Sequence, residues 1–111
     1  MKKRKTSFII ITAVIIFAII LLMIPKTTPE EKIAKCIGEN SKLYTQLGCH
    51  ACLTQENMFG KNYKHLTVID CVYEREACSQ ASITATPTWI INEEKITGVQ
   101  SISKLQELTG C

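Results

Sequence analysis

The chain has 111 residues, with 13 basic and 10 acidic side chains, a formal net charge of +3 and six cysteines. A chain of this length forms one domain at most. Four basic side chains lie at residues 2–5, and the chain after residue 25 carries nine basic and ten acidic ones, so that part is close to neutral. Because no basic patch is interleaved with aromatic residues, nucleic-acid binding has no electrostatic support.

The first 24 residues predict a membrane helix. The basic cluster is followed by an apolar run over 8–24, which as a helix would be about 25 Å long, the short end of what spans a bilayer core. The positive-inside rule predicts that 1–7 is cytoplasmic, that 8–24 is a retained signal anchor in the cell membrane, and that the remainder is extracytoplasmic. A cleaved signal peptide is the alternative, although "LLMIPKTTPEE" lacks a small-residue cleavage site. Both interpretations export the rest of the chain.

A polar segment with two prolines, residues 25–31, predicts a short linker before a folded domain over 32–111. Thr28 as a cap and Pro29 at the first helical position predict a helix over 29–37 that ends at Gly38.

The rest of the chain alternates strand and helix patterns, so an α/β domain is expected with the order α-β-α-β-α-β-β-α after the anchor. The predicted elements are a strand over 42–48, a helix from the "CHAC" segment to Gly60, a strand over 65–70, a helix over 74–83, strands over 86–92 and 93–99 joined by a turn at 92–94, and a helix over 101–110 capped by Ser101.

All six cysteines follow the apolar run, which fits an oxidising compartment. Six cysteines allow fifteen pairings. The closest pair, Cys49 and Cys52, can be half of a zinc site, a static disulfide or a redox centre. Zinc needs four ligands, and the ring of His50, inside the pair, would reach the same metal with difficulty. A static bridge this short restrains the unfolded chain little.

The position of the pair favours the redox interpretation. Cys49 follows a predicted strand and lies at the first turn of a helix, where free backbone N–H groups and the helix dipole stabilise a thiolate. Cys52 lies one turn further in and is expected to be shielded. A protonated His50 would further stabilise the thiolate of Cys49. We therefore expect Cys49 to attack and Cys52 to resolve the mixed disulfide.

The order of elements, with "GCHAC" at a helix start and Thr86-Pro87 opening a hairpin, resembles the thioredoxin fold. The resemblance implies a compact version without the first strand, with a four-stranded mixed sheet and flanking helices. It also implies that Pro87 is cis and lies against the cysteine pair, and that the backbone of Thr86 pairs with substrate. His50 and Ala51, the residues between the two cysteines, would support catalysis.

A narrower resemblance covers residues 40–111 and depends on "GCHAC" and on "DCVYEREACSQASITATPTWIINEEKITGV". These segments are similar to the thioredoxin-like domain associated with bacterial vitamin K epoxide reductase homologues. The similarity implies a quinone-linked membrane oxidoreductase as partner. The usual aromatic before the first cysteine is Gly48 here, and the intervening His50-Ala51 replaces the common Pro-His.

The resemblance makes Cys71 and Cys78 a structural disulfide. Cys36 and Cys111 are then left over, in the first and last predicted helices, where a second disulfide would tie the two ends of the domain together. The alternative is an accessory thiol at either end, which would resolve a mixed disulfide or link two chains.

Together these observations predict an enzyme: a membrane-anchored, extracytoplasmic thiol-disulfide oxidoreductase that exchanges disulfides with exported proteins or a quinone-linked membrane partner, without a cofactor or a bound metal. The alternative is a non-enzymatic thioredoxin-like module that binds a partner, or binds copper or zinc through Cys49 and Cys52. The direction of electron flow, the substrates and the oligomeric state are not specified by these patterns.

Overall fold

The structure, a computed structural model, describes residues 2–24 and 29–111. The first helix, α1, spans Lys2–Met23, and all of its side chains are exposed. It is long and apolar enough to cross a membrane, a property that signal sequences near an N-terminus share. The predicted cap Thr28 and most of the predicted linker lie outside the described residues.

The folded domain confirms the predicted order of elements and adds a 3-10 helix. Its elements are α2 (Glu31–Asn40), β1 (Ser41–Thr45), α3 (His50–Phe59), the 3-10 helix (Gly60–His65), β2 (Val68–Asp70), α4 (Arg75–Gln80), β3 (Thr88–Ile91), β4 (Glu94–Thr97) and α5 (Ile102–Thr109).

The four strands form one mixed sheet in the order β2-β1-β3-β4. Strands β1 and β2 are parallel, whereas β3 is antiparallel to both β1 and β4. The parallel pair is connected through α3, as in a βαβ unit, and the antiparallel pair is a hairpin. This sheet with its flanking helices is the thioredoxin-like architecture without a first strand, as predicted.

The prediction for α2 was wrong at both ends. The helix begins at Glu31, with Glu30 in the cap position and no side-chain cap, and it continues through Gly38 to Asn40. A Cβ at Gly38 would overlap the carbonyl group of His65 and approach the Cα of Leu66 to 3.1 Å. Glycine is therefore required here for the close approach of the 3-10 helix to α2, and not as a helix terminator.

All four strands are shorter than predicted, and for β1 and β2 the structure shows the reason. Strand β1 ends at Thr45 because the next residues turn: the N–H of Cys49 donates to the carbonyl oxygen of Gln46 (3.1 Å), and Gly48 has φ +87°. Strand β2 begins only at Val68 because the 3-10 helix occupies the residues before it. Both differences come from the connections and leave the strand order unchanged.

The predicted turn of the hairpin is confirmed. Asn92 and Glu93 have φ values of +50° and +67°, and the flanking Ile91 and Glu94 are paired in the sheet. A two-residue loop with positive φ at both positions is a type I′ turn, whose twist matches that of the strands.

The hydrophobic core lies between the sheet and the helices and fixes α3 on the central strands. Phe59 on α3 and Trp89 on β3 are fully buried, with ring centroids 6.2 Å apart. Leu43 on β1, Ile37 on α2 and Leu105 on α5 complete the centre of this cluster. This packing determines where the N-terminus of α3, with its cysteine pair, lies relative to β3.

Candidate active site

Cys49 occupies the N-cap position of α3. Its backbone is extended (φ −84°, ψ 115°), and its Sγ accepts a hydrogen bond from the N–H of Cys52 at 3.1 Å. The first N–H groups of a helix have no partner within the helix, and the helix dipole is positive at this end. A thiolate on Cys49 would therefore be stabilised by the backbone itself.

The structure joins Cys49 and Cys52 in a disulfide, with Cα atoms 5.2 Å apart. The two cysteines are unequally accessible, since Cys49 is half-buried and Cys52 is only 6% exposed. His50 and Ala51, which lie between them, are exposed. The expected shielding of Cys52 relative to Cys49 is therefore present in the structure.

The Thr86–Pro87 peptide bond is cis, and this segment lies against the pair. The Sγ of Cys49 is 3.6 Å from the carbonyl oxygen of Thr86, which it can approach as a donor when reduced. Pro87 is fully buried, and its own carbonyl oxygen accepts from the N–H of Gly98 at 2.8 Å. The structure thus brings together Cys49, Cys52, Thr86 and Pro87, the four residues singled out for the centre of the site.

The other four cysteines lie apart from this centre and are paired within the chain. Cys71 follows β2 and is joined to Cys78 on α4, with Cα atoms 5.6 Å apart. Cys36 on α2 is joined to Cys111, beyond α5, with Cα atoms 6.0 Å apart. The second bridge is possible because α2 and α5 pack against each other.

Gln55 is a residue of the site region that the sequence analysis missed. Its side chain is fully buried, and its Oε1 accepts from Trp89 Nε1 at 3.0 Å and from the N–H of Gln100 at 2.7 Å. Its Nε2 donates to the carbonyl oxygen of Gln100 at 3.0 Å. Gln55 lies one turn after Cys52, so these bonds tie the cysteine-bearing end of α3 to β3 and to the segment before α5. The sequence did contain a signal for this role: Gln55 is a polar residue three positions after Cys52, so it lies on the same face of α3 as that cysteine.

A cleft of about 470 Å³ opens beside Cys49 and extends to the ends of β1 and β2. Its lining includes the half-buried Tyr63 and Asp70 and the exposed Glu56. Burial raises the pKa of Tyr63 to about 12, with smaller contributions from the negative charges of Glu56 and Asp70. The sequence analysis singled out none of these three residues, because they are distant in sequence and share no motif.

No three His, Cys, Asp or Glu side chains lie close enough to hold a metal ion anywhere in residues 2–24 and 29–111. A zinc site on Cys49 and Cys52 needs four ligands, so it would require ligands from elsewhere. What the pair can do by itself is take up or release two electrons by opening and closing its disulfide.

The chain is similar to the thiol-disulfide oxidoreductase LTO1 of Arabidopsis thaliana, with 35% identity over 79 residues. The match includes 63% of this chain and 21% of the relative, so the chain spans about a fifth of that protein's length. No protein-family model matches the chain.

Among solved structures, the oxidised thioredoxin of Plasmodium falciparum aligns with a TM-score of 0.47 and 18% identity, over 76% of this chain and 92% of that one. The alkylhydroperoxide reductase AhpF of Enterococcus faecalis aligns with a TM-score of 0.48 and 18% identity, over 75% of this chain and 45% of that one. The assignment of the fold depends on the strand order and directions described above.

Proposed function

We propose that the chain is a thiol-disulfide oxidoreductase whose reacting groups are Cys49 and Cys52. The observation that carries the proposal is the placement of Cys49 at the N-cap of α3. Cys49 is only half-buried, with its sulfur 3.6 Å from the carbonyl oxygen of Thr86, whereas Cys52 is buried one turn away. The similarity to a protein named as a thiol-disulfide oxidoreductase supports it.

In the reducing direction, the thiolate of Cys49 attacks one sulfur of a substrate disulfide and forms a mixed disulfide, and the other substrate sulfur leaves as a thiolate. The thiolate of Cys52 then attacks the sulfur of Cys49 and releases the second substrate thiolate. Two electrons pass to the substrate, its two sulfurs take up two protons, and the enzyme is left with the Cys49–Cys52 disulfide. The oxidising direction is the reverse.

The cellular setting belongs to the proposal as well. Helix α1 begins with Lys2, Lys3, Arg4 and Lys5 and continues as an apolar run, which supports a single membrane anchor with the folded domain on the extracytoplasmic side. The substrates are then exported proteins. A quinone-linked membrane oxidoreductase of the vitamin K epoxide reductase type is the partner that would accept or supply electrons, as the sequence resemblance implies.

The decisive variant is Cys49→Ala in the full chain, purified in detergent. We expect it to lose both the reduction of insulin disulfides and the oxidation of a reduced test protein, because the attacking sulfur is gone. The matched control is Cys36→Ser/Cys111→Ser, which removes two sulfurs but leaves the pair intact; assayed at low temperature, it should retain activity. Normal exchange by the Cys49→Ala variant would overturn the proposal.

The partner is identified with Cys52→Ala, which cannot resolve the mixed disulfide on Cys49. Expressed in membranes, it should accumulate a covalent adduct that reductant releases, and the adduct should be absent from Cys49→Ala/Cys52→Ala. Adducts with exported proteins would support the proposed substrates, and an adduct with a membrane oxidoreductase would support the proposed partner. An exchanging pair should also have a reduction potential between about −300 and −100 mV.

A further inference from the structure

The cleft beside Cys49 has a position that suits recognition of a substrate chain. It opens at the carboxyl ends of the parallel strands β1 and β2, where Thr45 and Asp70 lie, and its upper edge is formed by Gly48 and Cys49. Crevices at the carboxyl ends of parallel strands are common ligand sites in α/β folds. A chain whose sulfur reaches Cys49 can therefore place a neighbouring residue in this cleft.

The rim of the cleft is apolar and accessible. Leu47 and Leu53, which lie on either side of Cys49 in the sequence, are 65% and 52% exposed. A large apolar side chain costs free energy while it remains in water and is favourably buried by an apolar partner. Two such side chains flanking a reactive sulfur offer a contact for an apolar residue next to a substrate cysteine.

Two acidic side chains line the cleft: Glu56, which is exposed, and Asp70, which is half-buried. Neither Glu56 nor Asp70 forms an ion pair with any described residue. Asp70 Oδ1 accepts only the N–H of Val72 (2.8 Å), a neutral donor. His50 is the one base among the described residues that line the cleft, and it lies on the exposed rim. Both carboxylates lie close enough to Tyr63 for their negative charges to add to the rise in its pKa that burial causes.

We propose that this cleft selects substrate segments in which an apolar residue and a Lys or Arg lie close to the reacting cysteine. The apolar side chain packs on Leu47 and Leu53, and the cation binds between Glu56 and Asp70. The inference rests on the proposed exchange activity and adds the class of substrate to it. Long cationic side chains suit the site because their methylene groups cover apolar surface while their charged ends reach the acids.

The test compares two disulfide-linked peptides that differ only at one position near the cysteine, Lys in one and Glu in the other. The readout is the ratio of their second-order rate constants with the full chain. The ratio is chosen because a general change in thiol reactivity cancels from it. We expect the Lys peptide to react about three- to tenfold faster at low salt. At about 1 M salt, where the Debye length is only about 3 Å, the preference should shrink.

Two variants link the preference to the cleft. Glu56→Gln and Asp70→Asn remove one charge each while keeping the size of the side chain, and Asn can still accept from Val72. Each should lower the Lys-to-Glu ratio towards one. The control is Glu94→Gln, since Glu94 is an exposed acid on β4, at the opposite edge of the sheet from β2. This variant should keep the wild-type ratio.

The outcomes separate this inference from the proposed function. Exchange with a ratio near one, or a ratio that Glu56→Gln and Asp70→Asn leave unchanged, overturns the inference and leaves the oxidoreductase proposal intact. Absence of exchange with either peptide overturns the proposed function. In that case the cleft is tested by binding: Lys and Glu peptides with serine in place of cysteine are titrated against the chain, and equal binding overturns the inference.

Discussion

Two disulfides of the domain differ in the length of chain that they close and in where they lie. The bridge between Cys36 and Cys111 joins residues 75 positions apart, whereas the one between Cys49 and Cys52 joins residues only 3 apart. In the chain-entropy description, the bridge that closes the long loop adds about 4–5 kcal/mol to the free energy of unfolding, and the bridge that closes the short loop adds about 2 kcal/mol. The first bridge lies between two packed helices, and the second lies at an accessible helix N-terminus.

This difference shows that the role of a cysteine pair depends on where the pair lies in the fold, and not on how many cysteines the chain contains. The Cys36–Cys111 bridge connects α2 to Cys111, two residues after the end of α5, and so closes nearly the whole domain. The Cys49–Cys52 bridge lies within the first turn of α3, where opening it disturbs little of the core. A small domain can therefore open one disulfide in each reaction cycle while another keeps it folded.

The largest expected effect on stability tests this contrast directly. Cys36→Ser/Cys111→Ser should lower the free energy of unfolding by about 4 kcal/mol, and Cys49→Ser/Cys52→Ser by at most about 2 kcal/mol. Denaturant unfolding of the full chain in detergent, followed by Trp89 fluorescence, gives both values. Equal losses, or a larger loss for the second variant, would show that the two bridges do not differ in this way.

Gln55 supports the reactive end through its buried hydrogen bonds. In Gln55→Ala, Trp89 Nε1 loses its acceptor in the core, and we expect a loss of about 2–4 kcal/mol in the free energy of unfolding. Gln80→Ala, an exposed glutamine on α4, is the control and should change the same quantity by less than about 0.5 kcal/mol. A Gln55 variant as stable as the control would contradict the role of these bonds.

Gly38 allows α2 to pack closely against the end of the 3-10 helix. Gly→Ala within a helix normally stabilises, but Gly38→Ala should instead cost about 1–3 kcal/mol, because the new methyl group meets the carbonyl of His65. Glu39→Ala, at the exposed neighbouring position, should be close to neutral. The sign of the change measured by thermal unfolding distinguishes close packing from an ordinary helical glycine.

The smallest expected effect is on the pH dependence of stability, and it comes from Glu31, the first residue of α2. The pKa of Glu31 lies below its usual value because of the hydrogen bond and charge of Lys35 and then the charge of His65. Since the folded state lowers this pKa, the stabilisation is present above the usual pKa of glutamate and is lost as the pH falls through the folded-state value. Unfolding temperatures of the wild type and Glu31→Gln should therefore converge in acid, whereas Glu39→Gln should follow the wild type throughout.

Much of the fold was predictable because it depends on local patterns. Pro87 and the turn residues at 92–94 predicted the hairpin of β3 and β4, and Ser101 predicted the start of α5, where it caps the N–H of Lys104. The position of Cys49 between a strand and a helix could be predicted from the sequence for the same reason. The ends of several elements were predicted wrongly, and at Gly38 and in the 3-10 helix the reason is that contacts between segments override local preference.

The sequence by itself determined the apolar first helix, the order of helices and strands, and a cysteine pair at a helix start, since periodicity, capping and charge act over a few neighbouring residues. Only the tertiary structure decided that Gln55 bonds to Trp89, that Cys36 meets Cys111, and that Glu56 and Asp70 share a cleft with Tyr63. These pairings join residues brought together by the sheet order and core packing, and no local pattern specifies which distant segments will meet.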